Sequence, residues 1–522
     1  MAGQQPTWLP EVEDLQRRRA RALELGGEER VRRQHEQGKL TIRERLDRLV
    51  DPGSFVEYGA IAGGTVREDD GSQRFVPAGF VAGLGKINGR WTAVGGEDFT
   101  VRGGSEGGAG GRKGRLLQEL ARDYRVPLVW LLDGAGASVR SIGQMGYSSL
   151  PKGRGWAESA SLSGQIPLVS CVVGSIAGGP ALTAVIGDIV IMVKETSHIF
   201  AGGPPLVERS LGHKVTKEEL GGSRLHTAVS GVADLEVASE DACLATAREY
   251  LSYFPQNCWE LPARVDNGDP PDRREEALLS AVPRSYRQLY DMRPILKAVV
   301  DSGKLFEIKP AYGPSMITTL ARLNGYPVGI IASQPRVIGG AIDGPAADKG
   351  AHFVQLCDAF HIPLVFFVDC PGFMIGIKAE SEGTLRRGLR VTHAVANSRV
   401  PTISVVIRKS YGMGGAAYGG GLGAHLNLVW PSAQFGSIPI EGGVAAAYRR
   451  VIESSPDPDK TRRDLEAQLD SMRTPWRAAE AMDVEDVIDP RDTRPLLIKY
   501  LDVAREKTRY QLGPRVSYGI MP

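Results

Sequence analysis

The residues of this 522-residue chain best suited to chemistry are glycines. In Cys171–Ile186, CVVGSIAGGPALTAVI, a buried strand carrying Val169, Cys171, Val172 and Val173 leads into a tight turn and a helix that begins near Gly178-Gly179-Pro180. Such a junction aims backbone N–H groups at one point. A helix start with unpaired amides and no Cβ in the way can cradle an oxyanion, where the partial positive charge of the helix end adds to the hydrogen bonds. A close helix–strand contact asks for the same two glycines, so both readings stand at this point.

The elements that must position this turn occur twice. Val101-Arg102-Gly103-Gly104 matches Val337-Ile338-Gly339-Gly340, and VPLVWLLDGAG (126–136) matches IPLVFFVDCPG (362–372), each 236 positions on. Asp133 then falls on Asp369, Gly136 on Gly372, and Gly178-Gly179 on Gly414-Gly415, within KSYGMGGAAYGGG (409–421). A small slip intervenes, because IPLVS at 166 matches VPTIS at 400 with a shift of 234. The pattern predicts two copies of one α/β unit, each with a glycine-lined turn; a period this long marks a duplicated domain, not a solenoid.

Few side chains near the turns look catalytic. His226, His352, His361 and His393 stand singly, as structural histidines do. Asp133 and Asp369 end strands, where a carboxylate commonly caps the next turn. Ser175 lies in GSIAG, a loose likeness of the G-x-S-x-G elbow, but no ordered Asp and His partners follow from the spacing, so a hydrolase triad is not supported. The strand Pro127–Asp133 runs into GAGAS without the third glycine and distant acid of a dinucleotide fingerprint. Gly103–Gly114, GGSEGGAGGRKG, sets glycines beside Arg112, Lys113 and Arg115, which suits a phosphate and equally a surface loop. What remains is two backbone oxyanion sites and no protein base.

Composition narrows the setting. The chain has 63 basic and 61 acidic side chains, a net charge of +2, which gives no electrostatic case for nucleic acid or an anionic membrane. Cysteines 171, 243, 258, 357 and 370 form no CxxC pair, as expected for a reducing cytoplasm and against a zinc ribbon or other metal site. No apolar run reaches the roughly 18 residues of a membrane span, and the charged N-terminal segment lacks a signal-peptide core. Residues 8–50 read as charged helices, 55–100 as short strands, and the polar, proline-rich stretch before Arg284 as the domain boundary. The expected division is 1–265, a linker 266–285, and 286–522.

Several segments together resemble one family. GKLTIRERLDRLVDPGSFVEYG (38–59), EDFTVRGGSEG (97–107), DGAGA (133–137), GSIAGGPAL (174–182), EELGGSRLHTAVSGVAD (218–234), LSYFPQN (251–257), CDAFHIPLVFFVDCPGF (357–373) and IRKSYGMGGAAYGG (407–420) are similar to the carboxyltransferase (beta) subunit of biotin-dependent acyl-CoA carboxylases, of the crotonase superfamily. The resemblance implies two tandem crotonase-like ββα superhelix domains, with active sites built between the first domain of one subunit and the second of another in a homohexamer, a trimer of dimers. It implies transfer of CO2 from carboxybiotin, held on a separate carrier, to an acyl-CoA through an enolate, with the biotin ureido nitrogen as base.

By position, Gly178 and Gly179 would hold the thioester oxygen and Gly414 and Gly415 the ureido oxygen, with Met413-Gly414 an alternative for the second hole. Contacts to coenzyme A and biotin would fall on Arg112, Lys113, Gly136, Ala137, Gly372, Phe373 and Tyr411. SYGMGGAAYGGG is longer and richer in glycine than the family's turn, EGGVAAAYR (441–449) replaces the usual stretch near it, and Cys370 stands where a small aliphatic residue is common; these departures bear on the acyl group. The partners implied are an acyl-CoA and a biotin carboxylase with its carrier. A biotin-dependent acyl-CoA decarboxylase subunit is an alternative. So is a non-catalytic scaffold that binds CoA esters, whereas a crotonase-type hydratase would need paired carboxylates that the sequence lacks.

Overall fold

Continuous apolar runs with no polar face make strands covered on both sides, and such runs form the centre of each half. The computed structural model describes residues 7–67, 70–105, 108–136, 146–147, 154–419, 425–438, 440–515 and 520. The chain divides into two compact units between Ser252 and Tyr253.

The first unit carries β1 (Val56–Glu57), β2 (Gly63–Arg67), β3 (Gln73–Pro77), β4 (Phe80–Ile87), β5 (Arg90–Glu97), β6 (Leu128–Leu132), β7 (Leu168–Val172), β8 (Ser175–Ala177), β9 (Ile189–Val193), β10 (His198–Phe200) and β11 (Leu235–Val237). Seven of these form one sheet in the order β1-β4-β5-β6-β7-β9-β11, antiparallel as far as β5 and parallel beyond it. Strands β6, β7 and β9 are buried along their whole length. Apart from the sheet, β8 and β10 pair in parallel as a two-stranded ribbon.

The second unit carries β12 (Phe306–Ile308), β13 (Met316–Leu323), β14 (Tyr326–Ser333), β15 (Leu364–Cys370), β16 (Thr402–Tyr411), β17 (Leu426–Val429), β18 (Gln434–Gly436) and β19 (Asp486–Val487). Its sheet runs β12-β13-β14-β15-β16-β17-β19, and β18 pairs with the far end of β16. The duplication extends to individual pairs. Ala93 lies opposite Leu128 and Gly329 opposite Leu364, while Leu128 lies opposite Leu168 and Leu364 opposite Thr402. Even the left-handed residues recur: Arg102 and Gly103 have φ of 55° and 66°, Ile338 and Gly339 of 42° and 65°. A non-glycine residue at positive φ is strained, so its repetition shows the tight turn itself was copied.

The stretch 266–285 is tied into the second unit. Arg273 pairs with Asp269 at 2.8 Å and donates to the carbonyls of Ala298 and Val300 at 2.8 and 3.0 Å. Its charges and prolines belong to a loop bonded into that unit. Near the start of the chain, the helix Ile42–Leu49 is closed by a capping box between Thr41 and Glu44 and buries Ile42, Arg45, Leu46 and Leu49. This delivers Arg45 to the centre of the first unit. Among the described residues no helix is long and apolar enough to cross a membrane.

Candidate active site

In the first unit the ribbon of β8 and β10 ends at Gly178, whose φ of 65° and ψ of −119° favour glycine, and the helix Gly179–Val185 begins at once. Gly178 donates its N–H to Phe200 O at 3.3 Å, and its carbonyl accepts from Leu182 N at 3.1 Å. The turn is thereby pinned to the ribbon on one side and to the helix on the other. The Gly179 N–H stands in the first turn of the helix, where no intrahelical acceptor exists. Gly178 is exposed, and among the described residues a Cβ built there would meet nothing within 4 Å, so none of them fills the space in front of this turn.

Gly136 is buried directly behind it: its φ is 77°, and a Cβ there would run into Ala177 O, the carbonyl just before Gly178. Ala137 lies outside the described residues.

The second turn repeats the arrangement with a displacement. Ser175 and Ala177 lie opposite His198 and Phe200, and Lys409 and Tyr411 lie opposite Gln434 and Gly436. Tyr411 therefore corresponds to Ala177, and Gly412 to Gly178. Gly412 opens the helix Gly412–Ala416 with φ of 55°, is exposed like Gly178, and is followed by Met413, 57% exposed. The shift of 234 that enters at β16 persists through the turn, so Gly414 and Gly415 sit two residues beyond Gly412 and Met413, the positions that correspond to Gly178 and Gly179. Both are buried: a Cβ on Gly414 would stand 2.5 Å from Gly372 Cα, and one on Gly415 would strike Ser410 Oγ. Gly372 and Tyr411 do meet here, because the Gly372 Cβ position lies 3.9 Å from Tyr411 O. The Tyr411 hydroxyl donates to Gln434 Oε1 at 3.0 Å, and Arg473 lies over its ring at 4.7 Å. Phe373 bridges to Ile342 beside Gly372. Burial pushes the neighbouring Cys370 thiol up to about 12, so it is no thiolate at neutral pH.

The strand-end carboxylates neutralise buried cations, and among the described residues they cap no turn that follows them. Asp133 is fully buried and accepts from Lys39 Nζ at 2.8 Å through both oxygens, from Gln34 Nε2 at 3.1 Å and from Arg45 Nη2 at 3.1 Å. Asp369 accepts from Arg408 Nε at 2.9 Å and from Lys409 N at 3.2 Å. Lys113 is spent elsewhere: it is buried and donates to Glu57 at 3.3 Å and Gly59 O at 3.2 Å, whereas Arg112 and Arg115 are exposed on the same helix. His226 and His361 are structural, donating through Nε2 to Ile199 O and Cys258 O at 2.9 and 2.6 Å. Among the described residues no cluster of three metal-ligating side chains occurs.

One group had no signal in the sequence. Ser175 Oγ lies 3.0 Å from His198 Nδ1, and His198 Nε2 lies 3.0 Å from Glu218 Oε2. The partners are 23 and 43 positions from the serine, and only the ribbon pairing brings them together. A strand pairing for the isolated HIF triplet would have been the one route to them.

Two backbone turns on a duplicated α/β frame match a known plan. The family model described as the carboxyl transferase domain covers residues 33–517. The chain belongs to that family. Among the carboxyl transferases, it is 36% identical over 518 residues to the propionyl-CoA carboxylase carboxyltransferase subunit of Haloferax mediterranei, covering 98% of this chain and 99% of that one. It is 38% identical over 516 residues to the alpha subunit of methylmalonyl-CoA decarboxylase of Veillonella parvula, covering 98% of each. A solved transcarboxylase 12S, a hexamer with methylmalonyl-coenzyme A bound, matches with a TM-score of 0.90 at 35% identity over 99% of both chains. The fold is therefore the crotonase-like one of acyl-CoA carboxylase beta subunits, and the chain is a carboxyltransferase of that type.

Proposed function

We propose that this carboxyltransferase works in a two-component, biotin-dependent acyl-CoA carboxylase and accepts a short CoA ester of the propionyl or methylmalonyl kind. The observation that carries the reading is the pair of turns, each a left-handed glycine (Gly178, φ 65°; Gly412, φ 55°) at the end of a ribbon and opening a short helix. Biotin, arriving on a partner protein, supplies the carboxyl group and the base for the α-proton. The chain's own part is electrostatic. The Gly179 amide holds the thioester oxygen as enolate charge develops on it, and the Met413 amide, its counterpart in the second turn, holds the ureido oxygen. Fixed donors of this kind cost no reorganisation as charge moves and are worth about 2.7–4 kcal/mol each. Gly414 and Gly415 keep Gly372 and Ser410 close beneath that second turn.

Arg112 is the proposed contact for the coenzyme A phosphates. Assembly as a homohexamer in the cytoplasm is proposed on the likeness to the transcarboxylase hexamer. The likeness to the Veillonella decarboxylase subunit favours a second reading, in which the same half-reaction runs toward CO2 release.

The test supplies the purified chain with propionyl-CoA and a carboxylated biotin carrier. Carboxylated CoA ester should form without ATP, and bicarbonate plus ATP should yield nothing unless a biotin carboxylase is added. Carboxylation by the chain alone would sink the two-component reading. Co-purification with membrane subunits in place of a biotin carboxylase would establish the decarboxylase reading.

A further inference from the structure

Ser175, His198 and Glu218 form a hydrogen-bonded chain that carboxyl transfer does not use. Ser175 and His198 are register partners across the ribbon of β8 and β10. Glu218 comes from the helix Lys217–Gly221, which a capping box between Thr216 and Glu219 holds in place. The imidazole is buried, stacks on Phe200 at 5.8 Å and 10°, and joins Ser175 Oγ and Glu218 Oε2 at 3.0 Å each. Burial keeps His198 below its ordinary value, with Glu218 opposing and Lys217 reinforcing, so the ring is neutral at pH 7. Only one tautomer then serves both partners: Nε2–H donates to the carboxylate, and the Nδ1 lone pair faces the serine hydroxyl. Lys217 Nζ donates to the same Ser175 Oγ at 3.2 Å, so a cation stands where alkoxide charge would develop.

Ser175, His198 and Lys217 line a cavity of about 190 Å3 together with Lys39, Phe99 and Thr196. The serine lies three residues before Gly178 on the ribbon whose Phe200 carbonyl pins that turn. The duplicated unit gives an internal contrast, since the corresponding ribbon positions there are Lys409 and Gln434, neither nucleophile nor imidazole.

We propose that Ser175 is a base-activated nucleophile that gives the chain a second activity, hydrolysis of acyl-CoA thioesters. Ser175 Oγ attacks the thioester carbon while its proton passes to His198 Nδ1. The carbon–sulfur bond then breaks, and the coenzyme A thiolate leaves with that proton. Water, deprotonated by His198, cleaves the acyl-serine ester, and the carboxylic acid departs as the serine regains its proton. Glu218 is a positioning residue that holds the tautomer. The hydrolysis rests on the reading that the thioester lies at the Gly178 turn, whereas the reactivity of Ser175 does not.

The test uses the whole chain without carrier. Thiol release from propionyl-CoA is followed alongside labelling by a fluorophosphonate probe, with the labelled peptide located by mass spectrometry. The expected result is label on Ser175 and thiol release abolished in Ser175→Ala, with unchanged CoA-ester binding by calorimetry. His198→Ala should slow labelling about a hundredfold, as for loss of a general base, and should remove its rise with pH through the His198 titration. Glu218→Gln should slow it less, with the pH midpoint moved down. Thiol release undiminished in a folded Ser175→Ala variant, an unlabelled Ser175, or labelling without thiol release would overturn the proposal. If propionyl-CoA does not bind at all, the reading of the turn fails instead, and label on Ser175 still reports the nucleophile.

Discussion

Asp133 and Asp369 occupy the same place in the two units, yet their charge is neutralised from different directions. In the first unit the cations come from far upstream, Lys39 and Arg45 on the N-terminal segment. In the second the guanidinium comes from Arg408, on the strand adjoining Asp369. The position that corresponds to Arg408 in the first unit is Gly174, where even a Cβ would collide with Asp133 Oδ1. One strand position thus either supplies the cation or vacates space for one brought from elsewhere. What the duplication preserved is a buried, neutralised carboxylate at the strand end; which residue neutralises it was free to change. The first unit consequently depends on its N-terminal segment, because Arg45 also pairs with Glu240 at 2.6 Å.

The largest effect should come from breaking that dependence. Arg45→Met strips a fully buried guanidinium from Asp133 and Glu240 and should lower stability by about 3–5 kcal/mol, the usual cost of orphaning a buried charge. Arg408→Met should cost less, because Lys409 Nζ stays 3.6 Å from Asp369 as Lys39 stays at Asp133, and no second carboxylate is left without its cation as Glu240 is. Chemical denaturation of both variants measures the difference. Equal losses would show that the N-terminal segment adds nothing particular to the first unit.

The glycines singled out at the two turns also differ, Gly178 open and Gly414 and Gly415 packed. Gly179→Val, beside the open Gly178, should cut carboxyl transfer about a hundredfold, comparable with losing one oxyanion donor, while the unfolding midpoint stays put. Gly414→Val should do the reverse. Its side chain would meet Gly372 backbone at 2.5 and 2.8 Å, atoms that no rotamer change can move aside, so stability should fall by about 1–3 kcal/mol and activity only with the folded fraction. Turnover and melting measured together on each variant decide the matter. A stable but inactive Gly414→Val would return the second hole to Gly414-Gly415.

The frame was legible because parallel strands buried on both faces are written as unbroken apolar runs, and the copied runs fixed Asp133 on Asp369 and Gly136 on Gly372. The second turn was read at Gly414-Gly415 with a shift of 236; the shift of 234 visible at IPLVS and VPTIS, carried through KSYGMGG, sets Gly412 opposite Gly178 in the repeat. Lys113 looked like a phosphate ligand from its basic neighbours, but a helix buries one face, and that face carries Lys113 to Glu57. The Ser175 chain stayed hidden because its members lie on three separate elements with no common period. Contacts made by strand pairing between short ribbons leave no spacing to read.

The smallest effect concerns a second pair of duplicated residues, Lys113 and Lys349. Both are buried on the helix that precedes β6 or β15, and each donates to a backbone carbonyl, Gly59 O at 3.2 Å and Lys309 O at 3.1 Å. Lys113 also has the Glu57 carboxylate at 3.3 Å; Lys349 has no carboxylate within ion-pair distance among the described residues. Burial therefore depresses Lys349 to about 7, only partly opposed by the more distant Glu307. In the unfolded chain a lysine keeps its proton to about pH 10.4. Between about pH 7 and 10 the unfolded state thus binds more protons than the folded one, and stability rises with pH across that window; below pH 7 both states are protonated and the cost of burial is complete. Lys349→Met removes this term. The variant should gain most over the parent at pH 7 and below, and the gap should close toward pH 10 by no more than about 1.4 kcal/mol per pH unit. Lys113→Met should instead lose stability, since Glu57 would keep only Arg43, at 3.0 Å. Denaturation midpoints at pH 6, 8 and 9.5 read both slopes, and a Lys349→Met gap that stays constant with pH would show that Lys349 is protonated in the folded chain.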